Sequence, residues 1–319
     1  MASRPWSGRA RRALLTALVT AAVALPVSGA ARPAAVPAPV PATPAPLASA
    51  RPPVLEARYA AARTEIGAAR DMAARHGDRR RAAALADMAR PDRTFLSFDG
   101  RDGGRGAEVF GDLSGARRIA VLVPGAGVDL DHYGRLRRGA EALLDGLGGG
   151  SAVVAWLGYR TPALLGPSSL TAGRADEAAP GLRAFAGELG TALPAARISL
   201  LCHSYGSVVC ARAASGLDVA DIVLYGSPGT GAGSAAALRT RATVHAGVGG
   251  EDWVARVPHT ALALPFVTVG FGPDPTSPEF GAEVFDAGGA GHSGYLEPGS
   301  VSLRGLAAIV SGTAGGGRA

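Results

Sequence analysis

Residues 198–207 read Ile-Ser-Leu-Leu-Cys-His-Ser-Tyr-Gly-Ser, and they decide the fold. The first five residues have the pattern of a short buried strand, and the chain continues after Ser207 with a helical pattern to Ala214. Ser204 therefore stands at a sharp turn between a strand and a helix, the context in which a Gly-x-Ser-x-Gly motif forms a nucleophile elbow. Gly206 supplies the small residue that this turn needs, and Cys202 replaces the first glycine. We interpret Ser204 as a nucleophile; the alternative is a simple helix cap.

A serine hydroxyl needs a general base, and in this elbow context the chain order is Ser, then Asp or Glu, then His. Three histidines follow Ser204. His245 lies inside a predicted strand, and His259 comes early for a residue beyond the last strand. His292 lies in the glycine-rich segment 288–294, after a predicted last strand over 282–287. We therefore predict His292 as the base.

The acid that orients the base has three candidates. Asp252 follows directly after the predicted strand Thr243–Val248, where the acid of such a triad is expected. Asp274 lies between Pro273 and Pro275, which is typical of a turn. Glu251 is the third candidate. The sequence favours Asp252 and leaves the other two open.

Developing negative charge on a carbonyl oxygen needs backbone N–H donors. We expect one from Tyr205, the residue after the nucleophile. The second is expected from the loop Pro124-Gly125-Ala126-Gly127-Val128, which follows the predicted strand Ile119–Val123. Ala126 is the preferred donor and Gly127 the alternative.

Continuous apolar runs, too long to be half exposed, alternate with helical stretches. This pattern predicts a mainly parallel sheet with helices on both faces, and every candidate above lies at the carboxyl end of a strand, where such sheets bind ligands. The predicted strands are 94–98, 107–110, 119–123, 152–157, 198–202, 222–225 and 243–248, and the predicted helices include 134–147, 174–190 and 205–214. Gly226–Ala242 is too short for a capping domain, so we expect an open site.

The N-terminal region has a different composition. Residues 1–30 combine four arginines, an apolar run over 13–25 and the small residues Ser28-Gly29-Ala30, which indicates a cleaved signal for Sec or Tat export to the cell envelope or medium. The apolar run is too short for a stable membrane anchor. We predict an Ala/Pro-rich linker over 31–53, a helical segment over 54–90 and the main domain over 91–313.

The charge balance points to no polyanionic partner. All 32 basic residues are arginine and the net charge is +6, but four of these arginines precede residue 13. Without them, 28 arginines face 26 acidic residues, so we expect no nucleic-acid binding. Asp129, Asp131 and His132 lack zinc-site spacing, and we expect neither a metal nor another cofactor. The sequence gives no indication of the oligomeric state.

The two cysteines are eight residues apart. Cys202 is predicted at a strand end and Cys210 inside the following helix. We expect their Cα atoms to lie beyond the roughly 7 Å limit for a disulfide, and therefore expect two small buried thiols.

The segment from about Phe95 to Val310 resembles a family of exported bacterial α/β-hydrolases of unknown function. The resemblance rests on Val121–Gly127, Trp156–Tyr159, Thr161-Pro162, His203–Ser207, Tyr225–Gly229, Asp274-Pro275, Gly291–Ser293 and Tyr295-Leu296. The family usually has glycine at the position of Cys202. The resemblance implies the α/β-hydrolase fold with Ser204 and His292 as reacting residues, and it implies no substrate.

Three functions fit these residues. The first is a secreted serine hydrolase acting on a small-molecule or lipid ester through Ser204, Asp252 and His292. The second is an acyltransferase that uses the same residues and an alcohol in place of water. The third is a non-catalytic envelope-binding module on a hydrolase scaffold. The predicted triad favours the first.

Overall fold

An eight-stranded sheet lies at the centre of the structure, a computed structural model that describes residues 36–42, 45–164 and 166–314. The strands of the described residues are β1 (Thr94–Asp99), β2 (Arg105–Phe110), β3 (Arg118–Val123), β4 (Ser151–Leu157), β5 (Arg197–His203), β6 (Asp221–Tyr225), β7 (Thr243–Gly247), β8 (Ala261–Ala263), β9 (Thr268–Gly270) and β10 (Glu283–Val284). The sheet order is β1-β2-β4-β3-β5-β6-β7-β10, and β8 and β9 form a separate hairpin.

Neighbouring strands from β4 to β10 run parallel, whereas β2 is antiparallel to both β1 and β4. The central strands are buried on both faces, as their continuous apolar sequences predict. The parallel register brings the carboxyl ends of β3, β5, β6 and β7 to one edge of the sheet. The predicted, mainly parallel sheet is thus confirmed.

Six helices of the described chain surround this sheet. They are α1 (Pro52–Arg75), α2 (Arg79–Met88), α3 (Gly134–Leu147), α4 (Gly173–Ala192), α5 (Gly206–Ala213) and α6 (Val301–Ser311). The helix α4 packs against α5, and α3 packs against α6. One face of β5 packs against α4 and α5, because its alternate residues Ile198, Leu200 and Cys202 belong to the apolar cluster that contains these two helices.

The N-terminal region lies at the antiparallel end of the sheet, where α1 contacts α2 and β1. Part of the predicted linker, residues 31–53, packs against the domain. Leu47 and Ala50 are buried, and the Ala50 N–H donates to the Ala192 carbonyl. The compact unit accordingly begins at Pro37. The predicted signal, residues 1–30, lies outside the described residues.

The loops at the carboxyl edge of the sheet differ in the secondary structure that they contain. Gly226–Ala242 contains one 3-10 turn (Ala236–Leu238) and no capping domain. The longer excursion between β7 and α6 carries the β8–β9 hairpin, which the sequence analysis did not predict. The predicted last strand over 282–287 shortens to β10, since the chain turns at Asp286, whose carboxylate accepts the Gly288 N–H. Over the described residues, no helix has the length and apolar character needed to cross a bilayer.

Candidate active site

Ser204 occupies a sharp turn between β5 and α5. Its φ of 52° lies in the left-handed region, and its N–H donates to the Tyr225 carbonyl at the end of β6. A Cβ at Gly206 would lie 2.4 Å from the Val123 carbonyl oxygen, so only glycine fits there. The turn therefore presents Ser204 beyond the sheet edge in the strained geometry predicted for a nucleophile elbow.

A disulfide joins the two cysteines on either side of this turn. Cys202 and Cys210 are bonded, with their Cα atoms 6.4 Å apart. The expectation of two separate thiols is wrong because the elbow folds the first turns of α5 back against the end of β5. Both residues are fully buried on the same side of the sheet. The disulfide thus closes covalently the loop that carries Ser204.

His292 connects Ser204 to Asp252. The His292 Nε2 atom lies 3.0 Å from Ser204 Oγ, and its Nδ1 lies 2.9 and 3.0 Å from the two carboxylate oxygens of Asp252. The His292 side chain is 13% exposed and that of Asp252 is fully buried. The structure therefore brings together Ser204, His292 and Asp252 in the order that lets Nε2 accept the serine proton while Nδ1–H donates to the carboxylate.

Tyr295 completes the surroundings of Asp252, and the sequence analysis assigned it no role. Its hydroxyl donates to Asp252 Oδ2 at 2.7 Å and accepts the Gly249 N–H at 2.9 Å. Burial raises the pKa of Asp252, but hydrogen bonds from His292 and Tyr295 outweigh it and hold the net pKa below the usual carboxyl range. Asp252 is therefore an ionised acceptor. In the sequence, the position of Tyr295 only three residues after His292 was the sign that it could lie near the triad.

His203 is a second side chain that the sequence analysis did not assign to the site. Its Nε2–H donates to the His292 carbonyl oxygen at 2.7 Å, and the two rings lie 4.8 Å apart. Burial and then the neighbouring His292 lower the pKa of His203 to about 3. His203 therefore stays neutral and anchors the backbone of the loop that presents His292.

The loop after β3 lies directly against the nucleophile. A Cβ at Gly125 would lie 2.7 Å from Ser204 Cβ and 3.2 Å from its Oγ. The Gly127 N–H donates to the Pro162 carbonyl at 2.9 Å, which removes it as a free donor. The N–H groups of Ala126 and Tyr205 donate to no described atom of the chain. These two predicted donors are therefore available to a ligand.

The competing side chains of Asp274, His245 and Glu251 form no hydrogen bond with Ser204 or His292 in the part of the chain that the structure describes. The Asp274 carboxylate accepts hydrogen bonds from the N–H and hydroxyl of Thr276, as a turn residue does. His245 is buried beside Asp221 within the sheet. Glu251 lines an open cavity of about 750 Å³ next to His292 but has no hydrogen bond to that ring among the described residues.

The acidic segment after β3 is engaged in local contacts. Asp131 forms a two-pronged ion pair with Arg81, and Asp129 accepts N–H groups from Asp131 and His132. Within the described ranges, no group of three or more His, Cys, Asp or Glu side chains is arranged to hold a metal ion. These residues shape the turn before α3.

Comparison with known proteins gives structural neighbours of low sequence identity. XC6422 from Xanthomonas campestris, an α/β serine hydrolase without a lid, is 18% identical, with a TM-score of 0.45 over 69% of this chain and 94% of that one. The esterase LipW from Mycobacterium marinum is 15% identical, with a TM-score of 0.41 over 79% of this chain and 90% of that one. No curated protein matches the chain.

A protein-family model matches just over half of the sequence. Its description is alpha/beta hydrolase, and it covers residues 99–262, or 164 of the 319 residues. The match includes β2 to β7, the elbow at Ser204 and Asp252. The chain therefore belongs to the alpha/beta hydrolase family.

Proposed function

We propose that the protein is a serine hydrolase that cleaves an acyl ester through Ser204, His292 and Asp252. The observation that carries the proposal is the continuous chain of contacts from Ser204 Oγ through the His292 ring to the Asp252 carboxylate. It lies at the carboxyl edge of the sheet, on a turn with positive φ at Ser204. A helix cap alone would require neither the base nor the buried carboxylate.

The acylation step begins when Ser204 Oγ attacks the ester carbonyl carbon. His292 Nε2 takes the hydroxyl proton as the C–O bond forms, and the carbonyl oxygen gains the negative charge. The tetrahedral species then expels the alkoxide, which receives that proton from His292. Water attacks the resulting acyl-enzyme in the same way, releasing the carboxylic acid and restoring Ser204.

The charge on the carbonyl oxygen needs donors fixed in advance. In this proposal the Ala126 and Tyr205 N–H groups supply them, because both are free of other described acceptors. Tyr205 is held in place by its own hydroxyl, which donates to the Thr171 carbonyl at 2.7 Å. Gly125 lets the loop approach Ser204 closely enough for this arrangement.

Asp252 keeps His292 in the tautomer that leaves Nε2 free to accept a proton, and stabilises the imidazolium formed during the reaction. In our proposal Tyr295 and His203 are positioning residues. Tyr295 fixes the carboxylate through Oδ2, and His203 fixes the backbone of the His292 loop. Neither needs to contact the substrate.

We further propose that the protein is exported and that residues 1–30 are removed. The disulfide supports this proposal, since disulfides persist in oxidising compartments and are rare in the cytosol. The mature chain would begin near Ala31. N-terminal sequencing of protein from the culture fluid tests this, and recovery of Met1 or Ala2 would contradict the cleavage.

Ester hydrolysis with product analysis tests the proposed reaction. Wild-type protein is assayed on p-nitrophenyl acetate and butyrate beside Ser204→Ala, with Ser114→Ala, at a half-buried serine of the loop before β3, as a matched control. We expect turnover in wild type and in Ser114→Ala, and its loss in Ser204→Ala. Added methanol should leave the free acid as the main product. Transfer of the acyl group to methanol in preference to water would instead identify an acyltransferase.

A further inference from the structure

The β8–β9 hairpin carries an exposed apolar tip. Leu264-Pro265-Phe266-Val267 joins the two strands, and a hydrogen bond from the Leu264 N–H to the Val267 carbonyl closes the turn. Phe266 is 100% exposed and Leu262 is 62% exposed, and Leu264 and Val267 are exposed as well. Side chains of this size gain free energy when they leave water, so an exposed cluster of them indicates a binding surface.

The hairpin is anchored beside the nucleophile. Phe271, the residue after β9, packs edge-on against the Tyr205 ring with their centroids 5.7 Å apart. The Gly270 N–H donates to the carbonyl of Leu170, whose side chain is also exposed. Residue 253 begins the short turn that links Asp252 to β8. The hairpin therefore rises from the rim of the site, between the acid and the elbow.

The charge pattern narrows the choice of partner. Residues 257–272 contain no Asp, Glu, Lys or Arg. A protein interface usually surrounds its apolar centre with a polar rim, whereas a segment that enters the boundary of a lipid layer buries aromatic and aliphatic side chains there and binds in proportion to the apolar area it buries. A fully exposed phenylalanine at the end of a projecting turn fits the second case.

We propose that the hairpin tip, residues 262–267, inserts into the surface of a neutral lipid layer and turns the cleft at Ser204 toward esters held in that layer. The choice of a lipid ester as substrate rests on the proposed function, but insertion does not require catalysis. The site is open without a cap over Gly226–Ala242, so docking presents it to the surface with no lid movement. Soluble esters would still enter directly.

Quenching by brominated lipid tests insertion at the tip itself. Full-length Ser204→Ala protein, which would leave the vesicles intact, is compared with the same protein carrying Phe266→Trp or Val284→Trp. Val284 is 61% exposed on β10, away from the hairpin. With phosphatidylcholine vesicles brominated on their acyl chains, we expect the added fluorescence of Phe266→Trp to be quenched and that of Val284→Trp to be unaffected. Equal or absent quenching at both positions overturns the proposal.

A second pair of measurements separates docking from catalysis. Leu264→Ser with Phe266→Ser should weaken vesicle binding by about tenfold or more and slow hydrolysis of a vesicle-borne ester, while activity on p-nitrophenyl acetate stays unchanged. If wild type hydrolyses no ester, the proposed function fails and the quenching result still decides insertion. If wild type is a dimer that these substitutions dissociate, and Phe266→Trp is not quenched, the tip binds a second copy and the lipid proposal is wrong.

Discussion

The protein contains two clusters of Ser, Asp and His that differ in the order of their contacts. Ser199, Asp221 and His245 lie on β5, β6 and β7, whereas Ser204, Asp252 and His292 lie in turns and loops beyond the strand ends. At the carboxyl edge His292 stands between Ser204 and Asp252. Toward the other end of the strands Asp221 stands in the middle, with its carboxylate 2.6 Å from Ser199 Oγ and 3.3 Å from His245 Nε2. The residue types are the same in both clusters.

The order of contacts decides what each cluster can do. Ser199 donates its proton in a hydrogen bond to Asp221, and Arg197 pairs with the same carboxylate at 2.7 Å. His245 makes no hydrogen bond to Ser199 in the described chain, so it cannot take the serine proton directly. Ser199 is also fully buried in a regular strand. An accessible serine on a strained turn, with a histidine between it and the carboxylate, therefore favours catalysis. A central carboxylate that is paired with arginine favours a structural role.

Replacing each serine in turn gives the largest expected contrast. Ser204→Ala should lower kcat/KM for a p-nitrophenyl ester by about three orders of magnitude or more, because the nucleophile is gone. Ser199→Ala should leave kcat/KM within about threefold and lower the melting temperature, because buried Asp221 loses a hydrogen bond. Steady-state kinetics of both variants measures kcat/KM, and thermal unfolding measures the melting temperature. Equal losses of activity would erase the distinction between the clusters.

The carboxylates give the next contrast. Asp252→Asn should lower kcat by about 10³–10⁴-fold while the protein still folds, since the amide favours the wrong imidazole tautomer. Asp274→Asn is the matched control and should cost little, because in the described chain the hydrogen bonds of that carboxylate come from Thr276 alone. A larger loss in Asp274→Asn than in Asp252→Asn would show that the triad acid is wrongly assigned.

Only the cluster at the carboxyl edge is tied by the disulfide. Replacing Cys202 and Cys210 together with alanine should lower the free energy of unfolding by about 2–3 kcal/mol, from the loop closure that the bond supplies. Denaturant unfolding of the oxidised wild type beside the double variant measures this. Wild-type protein that yields two free thiols on unfolding without reductant would contradict the bond itself.

A pH series tests the environment of His203. Because its pKa is lowered from 6.5 to about 3 in the folded protein, the unfolded chain takes up a proton that the folded chain does not. Stability should therefore fall as the pH drops from about 6.5 toward 3, by up to about 1.4 kcal/mol per pH unit from this group. His203→Gln should flatten that slope, whereas His76→Gln, an exposed change after α1, should retain it. Parallel slopes in all three proteins would place His203 in a solvated environment.

The sequence predicted the parallel sheet because its strands are continuous apolar runs, which only a sheet covered on both faces accommodates. It predicted the contacts of Ser204, Asp252 and His292 because strand ends meet at one edge and the chain order limited the choice. The disulfide and the role of Tyr295 depend on how far α5 and the His292 loop fold back. The distances between these side chains in the folded protein cannot be read from the number of residues that separate them in the sequence. The β8–β9 hairpin was missed because each of its strands is only three residues long and Pro265 lies between them.

Labelling with a fluorophosphonate probe, followed by peptide mapping, tests whether Ser204 is an activated nucleophile. The probe reacts with a serine hydroxyl only where a base and an oxyanion site activate it. We expect one label per folded chain on Ser204, unchanged labelling in Ser199→Ala, and none in Ser204→Ala or His292→Ala. A folded wild-type protein that takes no label, or takes it at a serine other than Ser204, would show that Ser204 is not the nucleophile.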